Sequence, residues 1–164
     1  MSQVLLVNVL ALGLLACSSA PAKERSDAQQ AQSAASAAVV RTMQALIHFA
    51  HDQTDLSDSA RTILDEKVAI FRANPELRIA IVGYASEPGT VAYNRALGTQ
   101  RAEAAKRHLV ARGISPSRIE IVTRGEGQLV VEGPGEAADA QNRRDEFRLL
   151  ITSHEEVYLA SPQE

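Results

Sequence analysis

Hydrophobic and polar positions divide the chain into an apolar beginning, a polar stretch and a longer region with regular patterns. Between Val4 and Ala16 most side chains are apolar and none is charged. From Ser18 to about Ala38 the residues are mainly Ser, Ala, Gln and charged types, which bury too little apolar surface to offset the entropy of ordering. Short apolar segments with the spacing of strands and helices begin near Thr42. We therefore expect a flexible tether followed by a folded domain.

The patterned region predicts four strands and two helices. In chain order these are a strand at Ala45–Phe49, a helix that opens at Leu56-Ser57, a strand at Arg78–Val82, a helix over about Val91–Arg112, a strand at Ile119–Val122 and a last strand with Phe147, Leu149 and Ile151 on one face. Crossover connections between parallel strands are right-handed, which packs the helices onto one sheet. The order therefore predicts an α/β two-layer sandwich with the element sequence βαβαββ.

Residues at the ends of the predicted elements support these boundaries. Ser57 is a suitable N-cap for the first helix, and Asn74-Pro75 ends it. Gly113 lies where the second helix needs a C′ residue. Gly83 is expected to begin a loop, and a turn-rich stretch at Gly125–Gly135 leads to the last strand. The first helix presents one apolar face, formed by Ala60, Ile63, Leu64, Val68 and Phe71.

The apolar beginning is typical of a secretory signal that ends at a cysteine. It is shorter than the roughly 20 residues that a transmembrane helix needs, and it suits the apolar region of a signal peptide. Leu14-Leu15-Ala16-Cys17 resembles the lipobox of bacterial lipoproteins, in which the cysteine becomes the acylated N-terminus. Through the same resemblance, Ser18 after the cysteine implies transfer to the outer membrane. The alternative is an ordinary signal peptide with an incidental cysteine.

Charge and cysteine content exclude several classes of function. The 164 residues carry a formal net charge of −3, whereas nucleic-acid binders normally show a basic patch, so no nucleic-acid partner is expected. Cys17 is the single cysteine, which rules out an internal disulfide and a zinc site built on several thiolates. His48 and His51 would lie on opposite faces of an extended strand, so no metal site is expected either.

The sequence contains no motif for catalysis or for a cofactor. Ser86 beside Glu87 has no histidine at a recognisable partner spacing, and the nucleophile-elbow motif is missing. The glycines at positions 125, 127, 133 and 135 do not fit the dinucleotide-binding or P-loop patterns, and turns between strands explain them better. We therefore expect a protein that binds without catalysis and without a cofactor.

Several motifs in the patterned region resemble the core of OmpA-like domains in order and spacing. They are Gly83–Thr90, Tyr93–Gly98, Arg101–Ala104, Leu109–Ile114, Ser117–Ile119, Gly125–Gly127 and Ala140–Arg144. The likeness extends from about Ile47 to Ile151. Together with the lipobox, it is similar to the peptidoglycan-associated lipoproteins of that family. The resemblance implies helices packed on one mixed sheet, and non-covalent binding of the diaminopimelate residue in the stem peptide of peptidoglycan.

The resemblance also implies a set of ligand-binding residues. The family's pocket uses an Asp in the loop after the second strand, an Asn and an Arg on the second helix, and an Arg near the start of the last strand. The matching residues in this chain are Asn94, Arg101, Asn142, Arg143 and Arg144. Ser86 stands at the position of the loop Asp, and Ala50 replaces a second acidic residue. Glu87, one position further along, has a longer side chain that is able to reach the same ligand.

Arg101 has support that does not depend on the family. On a helical wheel it lies about 40° from Leu97, and Ala105 lies on the same stripe. A charge within an apolar stripe is costly unless it has a partner. That partner is either a ligand carboxylate or an internal acid such as Asp139 or Asp145, and position alone leaves both open.

The other basic and amide candidates are ranked by the direction of their side chains. Arg143 and Arg144 begin the last predicted strand, where neighbouring side chains point to opposite faces. We expect Arg144 to face the pocket and Arg143 to be solvated. Asn94 falls on the Arg101 side of the second helix, although a polar residue near the start of a helix is often only a cap.

Together these patterns predict four segments and one leading function. The segments are a signal peptide at 1–16, an acylated N-terminus and flexible tether at 17–41, an OmpA-like domain at 42–153 and a C-terminal tail at 154–164. The leading function is that of a lipoprotein on the periplasmic side of the outer membrane, which binds peptidoglycan and tethers the membrane to the wall. The alternative is an interaction module with weakened wall binding, because Ser86 and Ala50 replace acids, that engages a periplasmic protein of the Tol type.

Overall fold

The computed structural model describes residues 22–86 and 89–150. The predictions for the signal peptide, for Cys17, for Glu87, for Ile151 and for the C-terminal tail concern residues outside these ranges. Among the described residues, no helix combines the length and the apolar character needed to span a bilayer. The chain divides between Ala35 and Ser36 into two units, and the sheet belongs to the second.

The segment expected to be a flexible tether contains a helix, α1, over Ala22–Gln44. Alanine has the highest helix propensity of all residues, and it recurs throughout this segment. Side chains 33 to 41 are exposed, which agrees with the absence of a core-facing stripe in the sequence. These residues therefore favour a helix without needing a core.

A four-stranded mixed sheet forms the centre of the domain, in the order β1-β4-β2-β3. The strands are β1 (Ile47–His48), β2 (Arg78–Tyr84), β3 (Ile119–Gly125) and β4 (Arg144–Leu150). β2 runs parallel to β3, and β4 is antiparallel to both β1 and β2. The helix α2 (Asp58–Ala73) connects β1 to β2, and α3 (Val91–Ala111) connects β2 to β3. The predicted two-layer α/β sandwich is confirmed.

The boundaries of α2 and α3 follow the capping residues in the sequence. Ser57 Oγ accepts a hydrogen bond from the Ala60 N–H at 3.1 Å, and α2 ends before Asn74. Gly113, just beyond the end of α3, has a φ angle of +91°, in the left-handed region that glycine adopts without steric cost. The predicted apolar face of α2 is buried at Ala60, Leu64, Val68 and Phe71.

Two of the strands differ in length from the prediction. β1 comprises only two residues, because β4 begins at Arg144, which pairs with His48. β2 continues through Gly83, the expected start of a loop, because Gly83 pairs with β3 on one side and with Asp145 of β4 on the other. Pairing on both sides therefore extends the central strand beyond its apolar run.

A short helix, α4 (Glu136–Asn142), precedes β4 and is not among the predicted elements. It begins after Gly135 without a hydrogen bond from a capping side chain, and it is only seven residues long. Neither a start signal nor a repeated apolar spacing therefore marks this helix in the sequence.

The apolar core lies between the sheet and the helices α2 and α3, and it contains a buried lysine. Lys67 of α2 is fully buried, and its Nζ donates hydrogen bonds to the carbonyls of Thr42, Met43 and Ala45 at 2.6 to 2.9 Å. The same Nζ lies 4.2 Å from the centroid of the Phe147 ring. The last carbonyls of a helix have no partner within the helix. Lys67 therefore caps the C-terminal end of α1.

Candidate functional site

Polar side chains from several elements meet near the end of β2 and the start of β4. The β1–α2 loop, residues 49–57, receives hydrogen bonds from side chains of α3 and from Arg143. Ser86 follows β2 and contacts Asp139 of α4. We term this group the sheet-end site; it consists of the β1–α2 loop together with Ser86, Asn94, Arg101, Asp139 and Arg143.

Arg101 is fully buried and is bonded to the β1–α2 loop. Its Nε donates to the Gln53 carbonyl at 2.8 Å, and its Nη2 donates to the Ala50 carbonyl at 3.1 Å. The guanidinium carbon lies 5.2 Å from the centroid of the Phe49 ring. The internal partners of Arg101 therefore include backbone carbonyls, which a pattern of residue types does not indicate.

Asp145, one of the two acids considered as a partner for Arg101, is a fully buried residue of β4. Neither of its carboxylate oxygens has a hydrogen-bond partner among the described residues. Burial raises the pKa of Asp145 well above its usual range, and the positive charge of Arg101 lowers that pKa in part. Asp145 thus interacts with Arg101 through charge, in an environment that favours the protonated acid.

Asp139, the other acid considered for Arg101, contacts the loop that follows β2. Its Oδ1 accepts a hydrogen bond from Ser86 Oγ at 2.7 Å, and both residues are half-buried. Ser86 stands at the position where the family resemblance implies an acidic residue. The fold therefore brings an acid to this position from α4, although the loop itself carries a serine there.

Asn94 and Arg143 are also bonded to acids of this chain. Asn94 is fully buried, and its Nδ2 donates to Glu126 Oε2 at 2.8 Å. Arg143 is 2% exposed, forms an ion pair with Glu136 and donates from its Nε to the Phe49 carbonyl at 3.2 Å. Hydrogen bonding to Arg143 holds the pKa of Glu136 below its usual range. The expectation of a solvated Arg143 is wrong, because α4 covers this side chain.

The structure places Arg144 away from the sheet-end site. Neighbouring residues of a strand point to opposite faces, so Arg144 lies on the face opposite to Asp145. Its guanidinium carbon lies 3.9 Å from the centroid of the Tyr84 ring, and its Nη2 donates to Glu146 Oε1 at 2.6 Å. Arg143, rather than Arg144, is therefore the arginine next to the β1–α2 loop.

Asn142 organises the segment between β3 and α4. Its Oδ1 accepts hydrogen bonds from the backbone N–H groups of Val130 and Val131 at 2.7 and 3.1 Å, and its Nδ2 donates to the Val131 carbonyl at 2.8 Å. All of these contacts are to backbone groups. Asn142 therefore positions the chain beside the site.

Three acids near the candidate residues are not among the site residues that the sequence predicts: Glu126, Glu136 and Asp139. Glu136, Asp139 and Arg143 are separated by three and four residues, which places them on one face of a helix. That spacing becomes a signal only when residues 136–142 are recognised as helical. Glu126 lies in a turn, and no local pattern links it to Asn94.

An open groove lies elsewhere on the domain, between α3 and β3. Its volume is about 520 Å³, and it is lined by Glu103, Lys106, Arg107, Val110, Ala111 and Ile121. None of these residues belongs to the sheet-end site. In the part of the chain that the structure describes, no three His, Cys, Asp or Glu side chains are grouped so as to hold a metal ion.

The sequence motifs and the fold agree with one family of domains. Residues 48–143, more than half of the chain, match the OmpA family. The chain therefore belongs to the OmpA family. This membership confirms the predicted family, and with it the prediction that the chain is not an enzyme.

Within this family the chain is similar to peptidoglycan-associated lipoproteins. It is 42% identical to that of Pseudomonas putida over 101 residues, which cover 62% of this chain and 60% of that protein. It is 33% identical to that of Pasteurella multocida over 144 residues, which cover 88% of this chain and 95% of that protein. The crystal structure of the Burkholderia pseudomallei protein matches with a TM-score of 0.62 and 33% identity, covering 64% of this chain and 89% of that one. The chain thus spans less than two thirds of the Pseudomonas putida relative.

Proposed function

We propose that this protein is an outer-membrane lipoprotein that binds peptidoglycan non-covalently and tethers the membrane to the cell wall. The observation that carries the proposal is that Arg101 and Arg143 both donate hydrogen bonds to carbonyls of the β1–α2 loop, while Asn94 lies on the same helix as Arg101. The chain also resembles proteins that are named for their association with peptidoglycan. In the proposal, acyl chains on Cys17 hold the protein to the periplasmic side of the outer membrane.

The ligand that suits the sheet-end site is a zwitterionic amino-acid centre, such as the diaminopimelate residue of a stem peptide. Arg101 presents a planar fork of donors, which binds a carboxylate through two parallel hydrogen bonds. In the described contacts this fork donates to Ala50 and Gln53. In the proposal, the ligand carboxylate binds this same guanidinium group, beside the β1–α2 loop.

Co-sedimentation of the protein with purified peptidoglycan tests this proposal. Wild-type protein is expected to pellet with the wall, and Arg101→Ala is expected to lower the affinity by at least about 30-fold, because losing one partner of a buried charged contact costs about 2–5 kcal/mol. Arg107→Ala is the matched control. It removes an exposed arginine of the same helix, 3.7 Å from Glu103, and is expected to leave binding unchanged.

A second variant separates lost binding from lost folding. Arg101→Lys keeps the positive charge but removes the fork, so a folded protein with reduced binding is expected, and circular dichroism checks the fold. If a folded Arg101→Ala or Arg101→Lys variant pellets as well as the wild type, Arg101 does not hold the ligand and the proposed site is wrong.

The lipid anchor is tested separately from wall binding. Cells that express the protein are grown with a palmitate analogue, and the label is expected on the wild type but not on Cys17→Ala. Equal labelling of both forms would refute acylation at Cys17. Such a result leaves the co-sedimentation outcome unaffected, because the two sites lie in different parts of the chain.

One observation favours the second candidate function, an interaction module that engages a periplasmic protein of the Tol type. Ser86, Asn94 and Arg143 already contact acids of this chain, namely Asp139, Glu126 and Glu136. A ligand must compete with these internal partners, which weakens its binding. If wild-type protein does not pellet with peptidoglycan but is cross-linked in cells to a Tol-type protein, the second function replaces the first.

A further inference from the structure

We propose that Asp139 of α4 is the acid that receives the ammonium group of the zwitterionic ligand at the sheet-end site. The inference rests on the proposed function, and it names a specificity-determining residue at that same site. The proposed acid lies on a helix, whereas Ser86 occupies the loop position at which the family resemblance implies an acid.

Three acids lie close to the candidate ligand-binding residues, and they differ in the partners that they have. Glu136 forms an ion pair with Arg143, and Glu126 accepts a hydrogen bond from Asn94. Asp139 accepts a hydrogen bond from the neutral Ser86 hydroxyl, and no basic side chain of the described residues forms an ion pair with it. Of these three acids, Asp139 is therefore the one whose described side-chain contact is with a neutral hydroxyl, and its negative charge is able to pair with a cationic group.

Contacts within the protein hold the Asp139 carboxylate in place before any ligand arrives. The Asp139 N–H donates to the Gly135 carbonyl at 3.1 Å, and the Asp139 carbonyl accepts from the Arg143 N–H at 2.9 Å, so its backbone is held within α4. The Ser86 hydroxyl holds Oδ1 at 2.7 Å. A carboxylate has about four acceptor positions, so Asp139 keeps the capacity to accept hydrogen bonds from an ammonium group.

The proposed ligand centre carries both a carboxylate and an ammonium group. A zwitterion is recognised by one cation and one anion, and Ser86 alone is able to hydrogen-bond an ammonium group but not to neutralise it. With Asp139 at 2.7 Å, the loop position consists of a hydroxyl backed by a carboxylate. Arg101 and Asp139 then supply the two opposite charges from two different helices.

The contact between Ser86 and Asp139 leads to a specific prediction for the Ser86→Asp variant. A second carboxylate beside Asp139 raises the pKa of one of the two acids, because two like charges at such a distance cannot both ionise freely. Ser86→Asp alone is therefore expected to bind the ligand no better than the wild type. Ser86→Asp combined with Asp139→Asn moves the single charge from the helix to the loop, and this double variant is expected to bind like the wild type.

Calorimetric titration with two probes tests the inference on the full protein. One probe is a soluble stem peptide with a free diaminopimelate amine, and the other is the same peptide with that amine acetylated. Asp139→Asn is expected to weaken binding of the free-amine peptide by about 10- to 100-fold, the range for a lost hydrogen bond between charged groups. It is expected to leave binding of the acetylated peptide unchanged. Glu103→Gln, which neutralises an exposed acid of α3, is the matched control and is expected to behave as the wild type.

The outcomes distinguish this inference from the function on which it rests. If the wild type prefers the free-amine peptide and Asp139→Asn keeps the same preference, Asp139 does not receive the ammonium group, while wall binding stands. A double variant that binds as poorly as Asp139→Asn also overturns the inference, provided that it is folded. If the wild type binds neither probe and does not pellet with peptidoglycan, the proposed function and the inference both fail.

Discussion

Arg101 stabilises the β1–α2 loop and is also the proposed ligand-binding residue, so its guanidinium group has both roles. Lysine and arginine are almost never fully buried unless their charge is paired. Here the guanidinium group holds the β1–α2 loop through two carbonyls and lies against the Phe49 ring. The β1–α2 loop and the proposed ligand therefore share one guanidinium group, so the loop is expected to respond when the ligand binds.

Lys67 is a second buried cation, and it makes the stability of the domain depend on pH. Burial lowers the pKa of Lys67 to about 7, below its ordinary value. At pH values between about 7 and the ordinary pKa of lysine, the unfolded chain binds a proton at Lys67 that the folded chain does not bind. The free energy of unfolding therefore increases as the pH rises through this range. Urea unfolding of the wild type and of Lys67→Met at pH 6.5 and pH 9 measures this effect, because these pH values lie below and above the lowered pKa of about 7.

The difference in the free energy of unfolding between the wild type and Lys67→Met isolates the contribution of Lys67. Lys67→Met cannot titrate at this position, so the stability of the wild type relative to this variant is expected to grow from the lower to the higher pH. If the difference is constant or shrinks, the carbonyls of Thr42, Met43 and Ala45 keep the lysine charged, and burial does not control its titration.

At the scale of elements, the close contact between β2 and α3 depends on two glycines. A Cβ atom at Gly83 would lie 2.0 Å from the carbonyl oxygen of Gly98, and a Cβ atom at Gly98 would lie 2.7 Å from Thr123 Oγ1. Both the strand and the helix are continuous at these positions. The contact therefore sets how closely α3 approaches the sheet, and through α3 it sets the positions of Asn94 and Arg101.

Gly83→Ala is expected to destabilise the domain by about 2–3 kcal/mol, the upper part of the range for overpacking, because the atom that it meets belongs to the backbone. Gly113→Ala is the matched control, since nothing lies within 4 Å of its Cβ position and only the φ angle of +91° opposes the substitution. That strain costs about 1–2 kcal/mol. Chemical denaturation measures both variants, and a Gly83→Ala protein that is more stable than the Gly113→Ala protein contradicts this account of the contact.

The predictability of the elements varies with the physical signals in the sequence. Ser57 marks the start of α2 and Gly113 the end of α3 through their own side-chain and backbone chemistry, and α2 also has an apolar face, so both helices follow from the sequence. α4 has neither a capping side chain nor enough length for a periodic pattern. The continuation of β2 through Gly83 depends on pairing with two distant strands, which no local rule detects.

At the scale of the whole molecule, the order of elements and the family could be predicted, but the internal partners of the site could not. The order follows from local periodicity, and the candidates Asn94, Arg101 and Arg143 follow from family motifs. Asp139 reaches Ser86 across 53 positions of the chain, a contact that exists only after the sheet and α4 have formed. The helix α1 lies in the segment expected to be a tether, where alanine favours a helix even without burial.

The central claim is that peptidoglycan binds at the sheet-end site, and chemical-shift mapping tests it most directly. The protein is labelled with ¹⁵N and titrated with a soluble stem peptide that contains diaminopimelate. The account predicts shifts in the amides of the β1–α2 loop, Ser86, Asn94, Arg101 and α4, because these groups contact the ligand or move with the loop. No shifts at all, or shifts confined to the groove lined by Lys106, Val110 and Ile121, would contradict it.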